Sequence, residues 1–130
     1  MKKLKIMEWN INQRSHRGIN NIPYFVADTI NRSDADIVVL TEFAKVNNHD
    51  YFINSLSRYN VFYNSKDKDK DGKNINTLLI AVKNSLHVTV IHEIEIDDNN
   101  PNFLRIDIKV DSKPFTIIGT RVRIKYLYEN

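Results

Sequence analysis

Asp36-Ile37-Val38-Val39-Leu40-Thr41-Glu42 carries four apolar residues in a row between an acid and a polar pair. A run this short and this uniformly apolar is buried on both faces, as in a central strand. Upstream, Ile22, Phe25, Val26, Thr29 and Ile30 fall at i, i+3, i+4, i+7 and i+8, one face of an amphipathic helix. Pro23 fits its first turn, and Asn20 or Asn21 is placed to cap it. Before that helix, Leu4 to Asn12 reads as a strand. One side holds Leu4, Ile6, Glu8, Asn10 and Asn12, and the other holds Met7, Trp9 and Ile11. Strand, helix and strand in that order make a βαβ unit, so the two strands are predicted to be parallel.

Downstream, Phe52, Ile53 and Leu56 suggest a short second helix, and Asn60 to Tyr63 a brief strand. Residues 66–74, Lys-Asp-Lys-Asp-Lys-Asp-Gly-Lys-Asn, alternate in charge and read as a solvated hairpin tip. Their spacing is that of a calcium loop, but counting from Asp67 the twelfth position is Leu78 rather than the required Glu. Leu78 to Val82 is a second buried run. Leu86, Val88, Val90, Ile94 and Ile96 then alternate with polar residues, as do Leu104, Ile106, Ile108 and Val110, and Phe115 to Ile124 returns as a strand. The stretches 97–101 and 111–114 read as turns. The expected architecture is mixed α/β: a layered sandwich with two helices on a mixed sheet.

The chain has 130 residues, a length that favours one domain, and no linker divides it. It is 42% hydrophobic, enough for a core and too much for a disordered tail. No run approaches the roughly 18 apolar residues of a membrane span, and Glu8 interrupts the basic start before a secretory signal could form. The absence of cysteine removes disulfides, thiolate metal sites and Cys nucleophiles, and fits a reducing cytoplasm. A net charge of +3 permits a polyanionic ligand without demanding one.

Asn10 and Glu42 lie at the ends of the two strands expected to be parallel, where ligands of such sheets gather. Glu42 is a hard oxygen donor suited to Mg²⁺ or Mn²⁺. The Asn10 amide can orient it or meet a substrate oxygen. The plainer alternative is that Glu42 marks where a buried strand meets water.

Trp9-Asn10-Ile11-Asn12, then a helix, then Asp36-Ile37-Val38-Val39-Leu40-Thr41-Glu42 resembles the N-terminal part of the endonuclease/exonuclease/phosphatase (DNase I-like) superfamily. Its first motif is a strand ending in Asn. Its second is an apolar strand ending in Gln-Glu, with Thr41 here in place of Gln. Asn76-Thr77-Leu78-Leu79-Ile80-Ala81-Val82 and Phe115-Thr116-Ile117-Ile118-Gly119-Thr120-Arg121-Val122 look like its next strands. The resemblance implies metal-dependent phosphoester hydrolysis of a nuclease-like kind, on nucleic acid or another phosphoester. It makes Glu42 the Mg²⁺ or Mn²⁺ ligand and Asn10 its partner at the phosphate. Asn12 falls where some members carry a second carboxylate.

Arg121 stands where many relatives carry His or Tyr. Arginine donates well to phosphate but is always protonated, so it cannot act as a base. Arg121 and Arg123 read equally well as an exposed strand face. The family's later motifs, Asp-x-Asn and a terminal Asp-His pair, do not occur after Arg121, and no His follows His92. His16, His49, His87 and His92 match none of the family positions. Residues 1–130 are therefore expected to form a single partial domain, the N-terminal half of the family fold. An apolar face is then left for self-association or for the missing half. The alternative reading is a non-catalytic module that binds a phosphorylated ligand or a protein partner.

Overall fold

A computed structural model describes residues 3–11, 21–68, 70–93 and 103–121. In chain order the elements are β1 (Ile6–Asn10), α1 (Tyr24–Ser33), β2 (Ile37–Phe43), α2 (His49–Ser55), β3 (Tyr59–Tyr63), β4 (Thr77–Lys83), β5 (His87–Glu93), β6 (Phe103–Val110) and β7 (Lys113–Thr120). They build a mixed four-stranded sheet in the order β1-β2-β4-β3 and an antiparallel three-stranded sheet in the order β5-β6-β7. The expected α/β sandwich is what forms. Residues 12–20, 94–102 and 122–130 lie outside the described residues, and with them Asn12, His16, Ile94, Ile96 and Arg123.

β1 and β2 pair in parallel, with Ile6 opposite Ile37 and Asn10 opposite Thr41. α1 crosses between them. β4 pairs antiparallel with both β2 and β3, so β2 and β4 are the central strands. Their sequences are apolar on both faces because both faces are covered. Val38, Leu40, Leu79 and Ala81 point to a core under the helices, with Val26, Ala27, Ile30, Phe52 and Leu56. Ile37, Val39, Leu78, Ile80 and Val82 point the other way, to a core shared with Leu104, Ile106, Ile108 and Val110 of β6. Each buried Val, Leu, Ile or Phe side chain contributes about 1.5–3 kcal/mol, and the two cores together hold the three layers.

Several sequence expectations shift in detail. β1 is shorter than Leu4–Asn12. Asn20 lies outside the described residues, and Asn21 does not cap α1: Pro23 occupies the N-cap position, and among the described residues no side chain closes the helix start. The helix therefore begins at Tyr24, and its buried stripe is Val26, Ala27 and Ile30, leaving Phe25 55% exposed. Ile22 is buried ahead of the helix, where Asn48 grips its backbone through a 2.6 Å bond from the Ile22 N–H and a 2.9 Å bond to the Ile22 carbonyl. Asp111 and Ser112 make a two-residue turn between β6 and β7, both with positive φ, as a hairpin matched to strand twist requires. β7 thus starts at Lys113, inside the stretch read as a turn.

Two polar devices fix the layers. Buried Asn64 donates to the Phe103 carbonyl at 3.0 Å and accepts from the Leu78 N–H at 3.2 Å, tying the sheets together. At the start of β2, Asp36 accepts from the Lys5 N–H at 2.8 Å and Lys83 reaches both Asp34 and Asp36. Lys83 beside Asp34 lowers the Asp34 carboxyl below its ordinary range, and Asp34 in turn raises the Lys83 ammonium. Among the described residues no helix is long and apolar enough to cross a membrane.

Candidate functional site

The parallel pairing of β1 and β2 brings their C-terminal tips together. Asn10 faces Thr41, and the Ile11 N–H continues the ladder by donating to the Thr41 carbonyl at 3.1 Å. Asn10 therefore lies beside the residue that precedes Glu42. Up to this point β2 alternates regularly, with Val38 and Leu40 under the helices and Ile37 and Val39 toward the second sheet. Regular alternation would send residue 42 under the helices as well.

It does not go there. The register against β4 shifts between Leu40 and Phe43, which is a β-bulge. Phe43 takes the place under the helices, fully buried. Thr77 of β4 pins it by donating to the Phe43 carbonyl at 3.1 Å. Glu42 absorbs the extra residue with a left-handed backbone, φ +56. For a non-glycine residue that conformation costs about 1–2 kcal/mol. Strain of this kind, held by well-packed neighbours, accumulates where a side chain must be aimed.

The bulge aims Glu42 at the second sheet. Its Oε1 meets Nη2 of Arg121 at 3.2 Å, with Glu42 18% and Arg121 24% exposed. Arg121 follows directly on β7, and β7 lies close over β2. A Cβ on Gly119 would come within 3.2 Å of the Val39 side chain, so glycine lets the sheets approach and brings Arg121 over the β2 tip. The three predicted residues are thus distributed as a carboxylate and a guanidinium in contact, with an amide-bearing residue on the neighbouring strand tip. Asn12 and Arg123 lie outside the described residues.

The donors suit a hard cation. A carboxylate and an amide oxygen are the ligands that Mg²⁺ takes while keeping several waters and using substrate phosphate for the rest. Among the described residues, no group of three or more His, Cys, Asp or Glu side chains is arranged to hold a metal ion by itself.

Sequence reasoning missed a neighbouring feature. The segment after β2 opens into a polar cleft of about 370 Å³ lined by Lys45, His49, Asp50, Asp67, Lys68 and Asn74 among others. His49 is buried between Phe43 and Tyr63, edge-on to the Tyr63 ring. Its Nδ1 has no hydrogen-bond partner among the described residues. Burial, aided by the nearby Lys45 ammonium, lowers its pKa below the ordinary histidine value. The only sequence signal was a histidine opening a short helix.

Solved structures share this architecture. C. elegans TDP2, in truncated form, superposes with a TM-score of 0.72 at 17% identity, over 94% of this chain and 47% of that one. D. rerio TDP2 complexed with a single-strand DNA product gives 0.68 at 14% identity, over 88% and 44%. ANGEL2, a 2′,3′-cyclic phosphatase, gives 0.70 at 16% identity, over 92% and 41%. The chain has the DNase I-like fold. It spans under half the length of these endonuclease/exonuclease/phosphatase superfamily structures. At such identities the likeness is one of DNase I-like architecture. The sequence matches no family model, and no curated protein matches it.

Proposed function

We propose that this chain carries the cation- and phosphate-binding part of a metal-dependent phosphoester hydrolase. The observation that supports this most is the bulge at Glu42. A strained residue on a central strand turns a carboxylate out of the core, toward Arg121 and beside Asn10. A strand that merely ended in water would need no such device.

In this reading Glu42 and Asn10 hold Mg²⁺ or Mn²⁺, which when bound neutralises charge on a phosphoryl oxygen. Arg121 offers a planar pair of donors to a second phosphoryl oxygen. Asn10 hydrogen-bonds and orients without carrying charge. Substrates are phosphoesters, with nucleic acid as one class: one fold neighbour is complexed with DNA and another is a 2′,3′-cyclic phosphatase.

A second reading rests on the sparse donor set. Hydrolysis also requires a group that activates water, and the described residues offer no acidic or histidine cluster for a metal. The 130-residue chain on its own then binds cation and phosphoester with little or no turnover. Both readings are separated by titrating Mn²⁺ into the chain and following its EPR signal, alongside Mg²⁺-dependent hydrolysis of bis-p-nitrophenyl phosphate. Glu42-dependent Mn²⁺ uptake without turnover fits the binding reading. Uptake with turnover abolished in Glu42→Gln places hydrolysis in this chain. Equal uptake by the wild type and Glu42→Gln contradicts both.

A further inference from the structure

The contact between Arg121 and Glu42 engages the same carboxylate that the proposed function gives to a cation. We infer that Arg121 is a resident counter-cation of Glu42, so that metal binding at Glu42 is coupled to the capture of a phosphoryl oxygen by the displaced guanidinium. This inference rests on the proposed function.

The geometry supports it step by step. Arg121 Nη2 lies 3.2 Å from Glu42 Oε1, and both side chains are about four-fifths shielded from water. In such surroundings a carboxylate is poorly stabilised by solvent and needs a positive partner. A dication approaching Glu42 competes with Arg121 for the carboxylate charge. Two cations crowded on one carboxylate repel each other, and the cost falls if Arg121 can move onto another anion. A phosphoryl group is that anion, and it matches the guanidinium fork.

Arg121 cannot move far. It emerges directly from β7, which Gly119 holds against Val39. The released guanidinium therefore stays beside the β2 tip, where a phosphoryl oxygen bound to the same cation would lie. Arg121 becomes a specificity device: metal alone binds weakly, and metal with a phosphate monoanion or dianion binds well. The affinities of the two ligands must rise together by the same factor, as linkage requires.

The test is isothermal titration of Mn²⁺ into the 130-residue chain, with and without inorganic phosphate or dimethyl phosphate. In the wild type, phosphate should strengthen Mn²⁺ binding about tenfold, beyond the phosphate–Mn²⁺ association measured without protein. Arg121→Gln should bind Mn²⁺ alone about tenfold more tightly and lose the phosphate effect. Arg121→Lys, which keeps the charge but not the fork, should bind Mn²⁺ as weakly as the wild type with a reduced phosphate effect. Dimethyl phosphate acting as well as inorganic phosphate would point to a phosphodiester ligand, and inorganic phosphate alone to a monoester; either result supports the coupling. Glu42-dependent Mn²⁺ binding that ignores both Arg121 and phosphate overturns this inference and leaves the proposed function standing. Mn²⁺ binding that ignores Glu42 overturns the proposed function and this inference together. If Arg121→Gln fails to fold, Arg121→Lys carries the test: a phosphate effect as large as that of the wild type overturns the inference.

Discussion

Gly119 of β7 sits so close to Val39 of β2 that a single added carbon would stand 3.2 Å from the valine side chain. This contact sets the spacing of the two sheets at the end where Arg121 leaves β7. Gly119→Val inserts a branched side chain into that gap. Overpacking of a filled core costs about 1–3 kcal/mol, and urea denaturation should show a loss in that range. The same variant should weaken the Arg121 to Glu42 contact by lifting β7, so its Mn²⁺ response should move toward that of Arg121→Gln. An unchanged unfolding midpoint would mean that the sheets are not held this closely.

The backbone of Glu42 can be tested apart from its carboxylate. Glu42→Ala and Glu42→Gly both delete the charge and the partner of Arg121. Only glycine adopts φ +56 without a penalty. Glu42→Gly should therefore be more stable than Glu42→Ala by about 1 kcal/mol, the reverse of their ordinary order within a strand. Neither should bind Mn²⁺ at the strand tip. Chemical denaturation of the two variants side by side reads the difference directly, and greater stability of the alanine variant would contradict a strained residue 42.

Much of this arrangement was legible in the chain. The runs 37–40 and 78–82 are apolar without alternation because helices cover one face and β6 and β7 the other. The parallel tips of β1 and β2 followed from the strand-helix-strand order. The bulge was not legible, since nothing in Leu40-Thr41-Glu42-Phe43 says which of two residues the helix-side core will accept. Phe43 wins that place by bulk and by the Thr77 bond. The contact between Glu42 and Arg121 joins strands of different sheets, a pairing that periodicity within either strand cannot reveal. Phe25 was misplaced because the buried stripe of α1 is Val26, Ala27 and Ile30, which lies to one side of the face that the spacing of Phe25, Val26, Thr29 and Ile30 suggested.

His49 predicts a pH dependence. Burial lowers its pKa from the ordinary value of 6.5, so the folded chain holds it neutral while the unfolded chain protonates it more readily. The unfolded state binds more protons as pH falls through 6.5 toward the lower folded value, and stability must decline over that window. Above 6.5 the contribution is fully present. Urea denaturation at pH 7.5 and 5.5 should show the wild type weaker at the lower pH. His49→Phe, which keeps an aromatic ring between Phe43 and Tyr63, should shrink that difference. A difference of the same size in the variant would assign the effect to other groups.

The two ends of the β1–β2 pair offer rival carboxylates. Asp34 and Asp36 stand at the start of β2 with Lys83, whereas Glu42 stands at its tip with Arg121. Substoichiometric Mn²⁺ in a ¹⁵N-labelled sample distinguishes them, because paramagnetic broadening marks the amides nearest the ion. Asn10, Ile11, Thr41, Glu42 and Arg121 should broaden first, and Glu42→Gln should abolish the effect. Broadening centred on Asp34 and Asp36, with Asn10 and Glu42 sharp, would contradict a cation site at Glu42.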